Sequence, residues 1–184
     1  MNILWIILII VIAVFAIGIV ALFNRLVSIR NKVKNSWAQI DVQLKRRNDL
    51  IPNLVNSVKG YMKHEKETLE NITKARSSIM KASTVEGKAK ASNALTETLK
   101  SLFAVSENYP DLKANQNFLQ LQEEITGTEN KISYSRQHYN DVVMQFNNTI
   151  QKFPNNMFAG ILGFNEQKPF EATNEERKNV KVEF

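Results

Sequence analysis

The residues best suited to metal or acid–base chemistry in this sequence are two histidines, His64 and His138. The segment from His64 to Thr68 begins like the zinc-binding pattern His-Glu-x-x-His, but threonine stands where the second histidine ligand would be. A di-iron carboxylate bundle needs Glu-x-x-His pairs, which the sequence lacks. We therefore expect both histidines at the surface, and we predict no metal and no cofactor.

Other catalytic patterns are also missing. Gly87-Lys88 lacks the upstream glycine and the following serine or threonine of a phosphate-binding loop, and no serine lies in a nucleophile-elbow pattern. The absence of cysteine excludes disulfides, thiolate metal sites and cysteine nucleophiles. The sequence therefore predicts a protein that is not an enzyme and has no small-molecule substrate.

One charge cluster remains, in which Lys45, Arg46 and Arg47 are followed closely by Asp49. With 3.6 residues per turn, three consecutive side chains point around most of a helix, so Arg47 is expected to lean toward the packed side. There it either pairs with a carboxylate of its own domain or faces an anionic partner. We take Lys45, Arg46, Arg47 and Asp49 as candidate partner-binding residues.

An uncharged run from Ile3 to Phe23 precedes this cluster. At about 1.5 Å per residue it reaches about 31 Å, close to the ~30 Å hydrocarbon core of a bilayer. A cleaved signal peptide is the alternative, but the run exceeds the usual apolar region of such peptides and no Lys or Arg precedes it. We predict that residues 1–24 form a transmembrane anchor, with these anchor residues: Ile3, Trp5, Phe15, Phe23 and Arg25.

The charges beside the anchor predict its orientation. Arg25, Arg30, Lys32 and Lys34 follow the apolar run, and no acidic residue occurs before Asp41. Because Lys and Arg are enriched on the cytoplasmic side of spanning helices, this bias favours a single-pass membrane protein with its domain in the cytoplasm.

Apolar residues spaced by threes and fours predict helices after the anchor. The first series contains Ile29, Val33, Trp37, Ile40, Leu44, Ile51, Leu54, Val58 and Met62. Pro52 interrupts it, so we expect a kink or short break at residues 49–52. A turn at 60–64 is predicted to end this first helix. Helices are then predicted over 65–82 and 88–106, with a turn at 83–87 between them and a turn at 108–111 after the second. Their inward residues are Leu69, Ile72, Ala75 and Ile79, then Ala91, Leu95, Leu99 and Leu102.

The longest seven-residue repeat predicts a helix over 114–153. Its packed positions are Phe118, Leu121, Ile125, Thr128, Ile132, Ser135, Tyr139, Val143, Phe146, Ile150 and Phe153. Glu123, Glu124 and Glu129 lie among lysines and glutamines, a pattern typical of a solvated face. Long outer helices with a shorter hairpin between them predict an all-α fold, in which residues 25–163 form an antiparallel, coiled-coil-like four-helix bundle.

The end of the chain changes character. Residues 157–162 are apolar enough for a short capping helix, and residues 164–184 are predicted to form an extended tail. Val180, Val182 and Phe184 alternate as in a strand, so this tail lies either along its own domain or in a partner's peptide groove.

Many short segments occur together at a characteristic spacing. They are Arg30-Asn31-x-Val33, the runs 37–47 and 49–55, Val58-Lys59-Gly60-Tyr61, His64-Glu65, Tyr109-Pro110-x-Leu112-Lys113-Ala114-Asn115, Thr128-Glu129-Asn130-Lys131-Ile132, Tyr139-Asn140, Phe153-Pro154 and Val180-Lys181-Val182-x-Phe184. These segments resemble the LemA family of bacterial membrane-anchored proteins. The resemblance implies an N-terminal anchor and an antiparallel helical bundle, with no established enzymatic activity. It also points to residues 40–47 and 49–55 as a hypothetical family-wide binding surface.

Two functions are compatible with these features. The first is a scaffold or adaptor that tethers partner proteins, as yet unknown, at the membrane. The second is a self-assembling protein, and hence a homo-oligomer, that shapes or organises membranes. The net charge of +6 favours anionic surfaces, including the lipid bilayer. No nucleic acid partner is expected, because the cations are dispersed and lack an aromatic platform.

Overall fold

The computed structural model describes residues 3–62 and 64–170, and this part of the chain contains helices but no β-strand. The all-α prediction is confirmed. In chain order the helices are α1 (Ile3–Lys59), α2 (Lys66–Lys81), α3 (Val85–Ser106), α4 (Pro110–Lys113), α5 (Gln116–Gln151) and α6 (Asn155–Ala159). They form two compact units. The described residues of the first unit are 3–37 and 139–167, and those of the second are 38–62, 64–138 and 168–170.

Helix α1 continues through Pro52 without interruption, so residues 49–52 contain no break, while the alternative of a kink there stays a prediction. Proline has no N–H to donate to the carbonyl of Asn48, four residues earlier. That carbonyl accepts a hydrogen bond from Arg76 Nε on α2 at 3.2 Å. Arg76 thus satisfies an acceptor that the proline leaves without its helical donor, and it ties α2 to α1 at this point.

Helices α2 and α3 follow the predicted hairpin closely. Ile72, Ala75 and Ile79 are buried as expected, whereas Leu69 is half-buried. Helix α3 begins three residues earlier than predicted because Thr84 caps it, accepting a hydrogen bond from the Gly87 N–H at 3.0 Å.

The predicted turn at residues 108–111 contains a short helix. Pro110 is the first residue of α4, a position where its missing N–H costs nothing. Asn115 then caps α5, because its Oδ1 accepts hydrogen bonds from Asn117 N–H at 2.9 Å and Phe118 N–H at 3.2 Å. Helix α5 lies within the predicted range and is two residues shorter at each end.

The second unit contains an apolar core cluster to which α1, α2, α3, α4 and α5 all contribute. Its members are Ile51, Leu54, Val58, Met62, Ile72, Ala75, Ile79, Ala91, Leu95, Leu99, Leu102, Leu112, Phe118 and Ile125. The predicted inward positions of α3 are therefore confirmed, and those of the N-terminal part of α5 are confirmed except for the half-buried Leu121. The antiparallel four-helix order remains a prediction.

The first unit buries one stripe of α1 and one of α5. Its core residues on these helices are Leu26, Ile29, Val33, Tyr139, Val142, Val143, Phe146 and Ile150, and the rings of Trp37 and Tyr139 meet edge to face at 5.7 Å. The prediction for Phe153 is wrong, because its side chain is 79% exposed. Helix α5 ends at Gln151, so Phe153 lies beyond the last helical turn and outside the repeat.

The apolar stretch at the start of α1 is long and hydrophobic enough to cross a membrane, with a mean hydropathy of 3.5, and it is not buried in the protein. The predicted anchor side chains Ile3, Trp5, Phe15 and Phe23 are exposed, and so is Arg25. A helix that is apolar on all sides and largely exposed is typical of a segment that contacts lipid.

The short helix after α5 spans Asn155–Ala159, slightly earlier than the predicted 157–162. After it, Gly163 has a φ of +75°, which favours glycine, and Phe164 N–H donates to Ala159 O at 2.8 Å. Residues 164–170 have no regular secondary structure, and the extended tail over residues 164–184 stays a prediction. The predicted contacts of Val180, Val182 and Phe184 lie outside the described residues.

The role of Pro52 can be tested by combining it with Arg76. Pro52→Ala should leave the helices intact and raise the free energy of unfolding, by up to about 3 kcal/mol, because it restores a helical hydrogen bond. Arg76→Ala should then lower the free energy of unfolding by less in the Pro52→Ala background than in the native one. The reason is that the backbone N–H of Ala at position 52 gives the Asn48 carbonyl a second donor. Urea unfolding of the four proteins measures this, with Arg46→Ala as an exposed control. Equal costs of Arg76→Ala in both backgrounds would contradict the assignment.

The α5 repeat makes a separate prediction at Ile132, which is fully buried. Ile132→Ala should lower the free energy of unfolding by about 2–5 kcal/mol, the usual cost of truncating a large core side chain. Tyr134→Ala is the matched control on the same helix, because Tyr134 is largely exposed. Thermal unfolding compares the two, and a melting temperature unchanged by Ile132→Ala would show that this stripe is not core.

Candidate functional site

Arg47 is the feature of the second unit that most needs explanation, because it is a cation with no exposed surface. Its position follows from the helical repeat. The buried residues on this part of α1 are Ile40, Leu44, Ile51 and Leu54. When Arg47 is placed between Leu44 and Ile51, successive members of the series are three or four residues apart. Arg47 therefore occupies a core position of the repeat, while the adjacent Lys45 and Arg46 point outward and are exposed.

The guanidinium of Arg47 is held by residues of α3 and α5. Its Nη1 donates to Glu129 Oε2 in an ion pair and to Thr96 Oγ1 at 3.1 Å. Its Nη2 donates to Ser92 Oγ at 2.8 Å and to Ser92 O at 3.2 Å. One side chain of α1 thus binds two other helices at the same level. We call Arg47, Ser92, Thr96 and Glu129 the arginine layer.

The hydroxyl of Thr96 closes this network. Thr96 Oγ1 accepts from Arg47 and lies 3.1 Å from both Ser92 O and Glu129 Oε2, either of which can accept its proton. Within the described residues, Arg47 Nε has no hydrogen-bond partner, nor do the side-chain oxygens of the neighbouring Gln43 and Asn48. Among the described residues, the two terminal nitrogens of Arg47, Nη1 and Nη2, are therefore paired, whereas Nε is not.

Burial lowers the pKa of the Arg47 guanidinium from its ordinary value, and the charge and hydrogen bond of Glu129 oppose this effect. The positive charge of Arg136 also lowers this pKa, more weakly. Arg136 lies over the ring of Phe170, with its guanidinium carbon 4.7 Å from the ring centre. Because an arginine keeps its proton in proteins, the layer holds a buried positive charge beside a carboxylate.

The two partners of this ion pair differ in solvent access. The side chain of Arg47 is fully buried, whereas that of Glu129 is 33% exposed. Water can therefore stabilise Glu129 if Arg47 is lost, but it cannot stabilise Arg47 if Glu129 is lost. A second ion pair, Asp41 with Lys88, also joins α1 to α3 and is closer to the surface.

The candidate residues from the sequence thus separate into two groups. Arg47 pairs with a carboxylate of its own domain, one of the two outcomes that the sequence left open, while Lys45, Arg46 and Asp49 are exposed. The expectation that Glu129 belongs to a solvated face is wrong, because it faces Arg47 across the interface between α5 and α1. Ser92 and Thr96 were not anticipated.

The remaining sequence candidates lie where they were expected. His64 and His138 are exposed, and Thr128 and Ser135 are buried in the α5 stripe. Thr128 Oγ1 donates to Ile125 O at 2.7 Å, which satisfies its hydroxyl within the helix. Across residues 3–62 and 64–170, His, Asp and Glu side chains form no group of three that could hold a metal ion.

Comparison with known proteins now identifies the family. The sequence model of the LemA family matches residues 36–184, which include the whole arginine layer. The chain belongs to the LemA family. It is also similar to protein LemA of Metamycoplasma hominis, with 32% identity over 177 residues that cover 94% of this chain and 79% of that protein. The apolar start of α1 precedes the part of this LemA-family chain that the family model matches.

The unequal burial of the ion pair makes a quantitative prediction. Glu129→Leu should lower the free energy of unfolding by about 3–5 kcal/mol, because it leaves the buried Arg47 charge without its carboxylate. Glu123→Leu, at an exposed position of the same helix, should change it by no more than about 0.5 kcal/mol. Urea unfolding of both variants measures the difference, and similar small effects would show that the layer does not depend on Glu129.

Proposed function

We propose that this LemA-family chain is a single-pass membrane protein whose helical domain serves as a non-catalytic scaffold, holding partner proteins at a bacterial membrane. The observation that carries the proposal is the continuity of α1. One helix contains both the apolar stretch that is long enough to cross a membrane and Arg47, the centre of the arginine layer. No loop intervenes between these two parts of the helix.

The exposed side of α1 in the second unit supports a binding role. Val42, Lys45, Arg46 and Asp49 are exposed and are spaced so that they share one face of the helix, which we call the α1 face. Val42 is a large apolar residue that is 62% exposed. Two cations beside an uncovered apolar side chain suit a partner with an acidic rim around an apolar contact.

The internal pairing of Arg47 supports a division of roles among the three adjacent cations of α1. Its charge is used within the domain, so partner recognition on this helix falls to Lys45 and Arg46. The packed Arg47 fixes the rotation of α1 in the second unit, and this rotation keeps the other two cations on the surface.

The charges near the apolar stretch favour a cytoplasmic domain. Arg25, Lys32 and Lys34 are exposed just beyond the apolar stretch, where positive charge is retained on the cytoplasmic side. A phosphatase that is active only outside the cytoplasm, fused after Phe184, should therefore give no activity, and a fluorescent protein that folds in the cytoplasm should be bright. A strongly active phosphatase fusion would reverse the orientation.

The scaffold role is tested by a photo-crosslinking residue at position 42 in the full chain in cells. We expect a discrete crosslinked protein, and we expect its yield to fall when Lys45 and Arg46 are both changed to glutamate. The same two-charge reversal at Lys131 and Lys90, exposed on other helices, is the matched control and should leave the yield unchanged. Crosslinks only between two copies of this chain would favour the self-assembling alternative. No crosslinked product would argue against a binding role for the α1 face.

A further inference from the structure

The chain between Lys152 and Glu166 is uncharged and rich in apolar side chains. It contains α6 and the turns on either side of it. We call residues 153–164 the α6 loop. The α6 loop belongs to the first unit, as does the apolar stretch of α1.

Two aromatic contacts place the α6 loop beside that apolar stretch. The ring of Phe158 meets the ring of Phe15 edge to face at 6.3 Å, and the ring of Phe164 meets that of Phe23 at 5.9 Å. Phe15 and Phe23 are eight residues apart on α1, or about 12 Å along the helix axis. The loop therefore follows the apolar stretch for about this length and reaches its greatest depth near Phe158.

The side of the α6 loop that faces away from the protein is strongly apolar. Phe153, Met157 and Ile161, four residues apart, are 79%, 59% and 85% exposed. Ala159 and Phe164 are buried and hold the loop in place. Large apolar side chains with this much exposure, next to a membrane-spanning candidate, are typical of a surface that contacts a membrane or another protein.

The backbone of the loop is suited to such an environment because much of its hydrogen bonding is internal. Met157 N–H donates to Pro154 O, Leu162 N–H to Phe158 O and Phe164 N–H to Ala159 O, at 3.2, 2.9 and 2.8 Å. The side-chain amide of Asn155 donates to Thr149 O at 2.8 Å, whereas the side chain of Asn156 is exposed. Backbone groups in lipid must be satisfied within the protein, and these bonds satisfy the N–H groups of Met157, Leu162 and Phe164 in this way.

Polar pairs join the two ends of the loop where it leaves and rejoins the rest of the first unit. Gln151 Nε2 donates to Glu166 Oε1 at 2.7 Å, and Asn147 exchanges two hydrogen bonds with Gln167 at 2.8 and 2.9 Å. Next to these pairs, the guanidinium carbon of Arg30 lies 4.9 Å above the ring of Phe164. An exposed cation, Lys152, marks the start of the loop. The α6 loop thus has polar residues at its two ends and apolar residues between them. This order is typical of a segment that passes from the lipid headgroups into the acyl chains.

We propose that the α6 loop inserts into the bilayer leaflet nearest the domain and is a second membrane contact, with lipid acyl chains covering Phe153, Met157 and Ile161. The proposal rests on the proposed function in one respect, that the apolar stretch of α1 spans the bilayer. If Phe23 lies near the edge of the hydrocarbon core, Phe158 reaches about 12 Å into a leaflet that is about 15 Å deep. The loop does not cross the membrane, and it fixes the first unit against the surface.

The absence of cysteine in the natural chain allows single nitroxide labels to test this directly. The full-length protein is reconstituted in phosphatidylcholine–phosphatidylglycerol vesicles with a label at Ile161→Cys, at Val11→Cys in the apolar stretch, or at Met144→Cys on α5. All three native side chains are exposed in the structure, so the label disturbs no packing. Electron paramagnetic resonance measures how often each label collides with oxygen, which enters lipid, and with a water-soluble nickel complex.

We expect the label at position 161 to resemble that at position 11, with frequent oxygen and rare nickel collisions, while the label at position 144 shows the reverse. A nickel-accessible label at position 161, with a lipid-like label at position 11, would overturn the inserted loop and leave the anchor intact. A label at position 161 that is shielded from both reagents would mean that a second copy or another protein covers the loop, which also overturns the proposal. A nickel-accessible label at position 11 would overturn the anchor itself.

Discussion

Burial of the Arg47 charge is the constraint on which the second unit depends. Removing a guanidinium from water costs several kcal/mol unless its donors find acceptors of suitable geometry. Those acceptors come from Ser92 and Thr96 on α3 and from Glu129 on α5. Three helices must therefore meet at one level and in one rotation. The apolar core residues around the layer could pack in several registers, so we infer that the charge selects among them.

Helix α1, which carries Arg47, has three environments along its length. The start of α1 is apolar on all sides, the middle presents a narrow buried stripe, and the part around Arg47 carries a charge into that stripe. Pro52 adds a fourth feature, because it frees the Asn48 carbonyl for Arg76 of α2. A rule that treats proline only as a helix breaker accounts for the lost hydrogen bond, but it omits the partner that uses the freed acceptor. In this structure the helix continues through Pro52, and the freed carbonyl is paired with Arg76.

Local periodicity was enough to predict the helices and most of their buried positions, but the arrangement of these helices remains a prediction. The repeat from Phe118 to Ile150 defined α5 to within two residues at each end, and the same spacing suggested that Arg47 leans inward. It could not identify Glu129 as the partner, because the residues around Glu129 have the pattern of a solvated face. Only the packing of α5 against α1 brings that carboxylate to Arg47. Ser92 and Thr96 were missed for the same reason, and the exposure of Phe153 depends on where α5 ends.

The central claim, that the arginine layer works as a unit, is tested most directly by a double-mutant cycle on Arg47→Met and Glu129→Leu. Replacing a whole buried ion pair with apolar side chains is often neutral, whereas removing one partner is costly. The account therefore predicts that adding Arg47→Met to Glu129→Leu restores most of the lost free energy of unfolding in urea. Losses that simply add would contradict it, because they would show that Arg47 and Glu129 stabilise the domain independently.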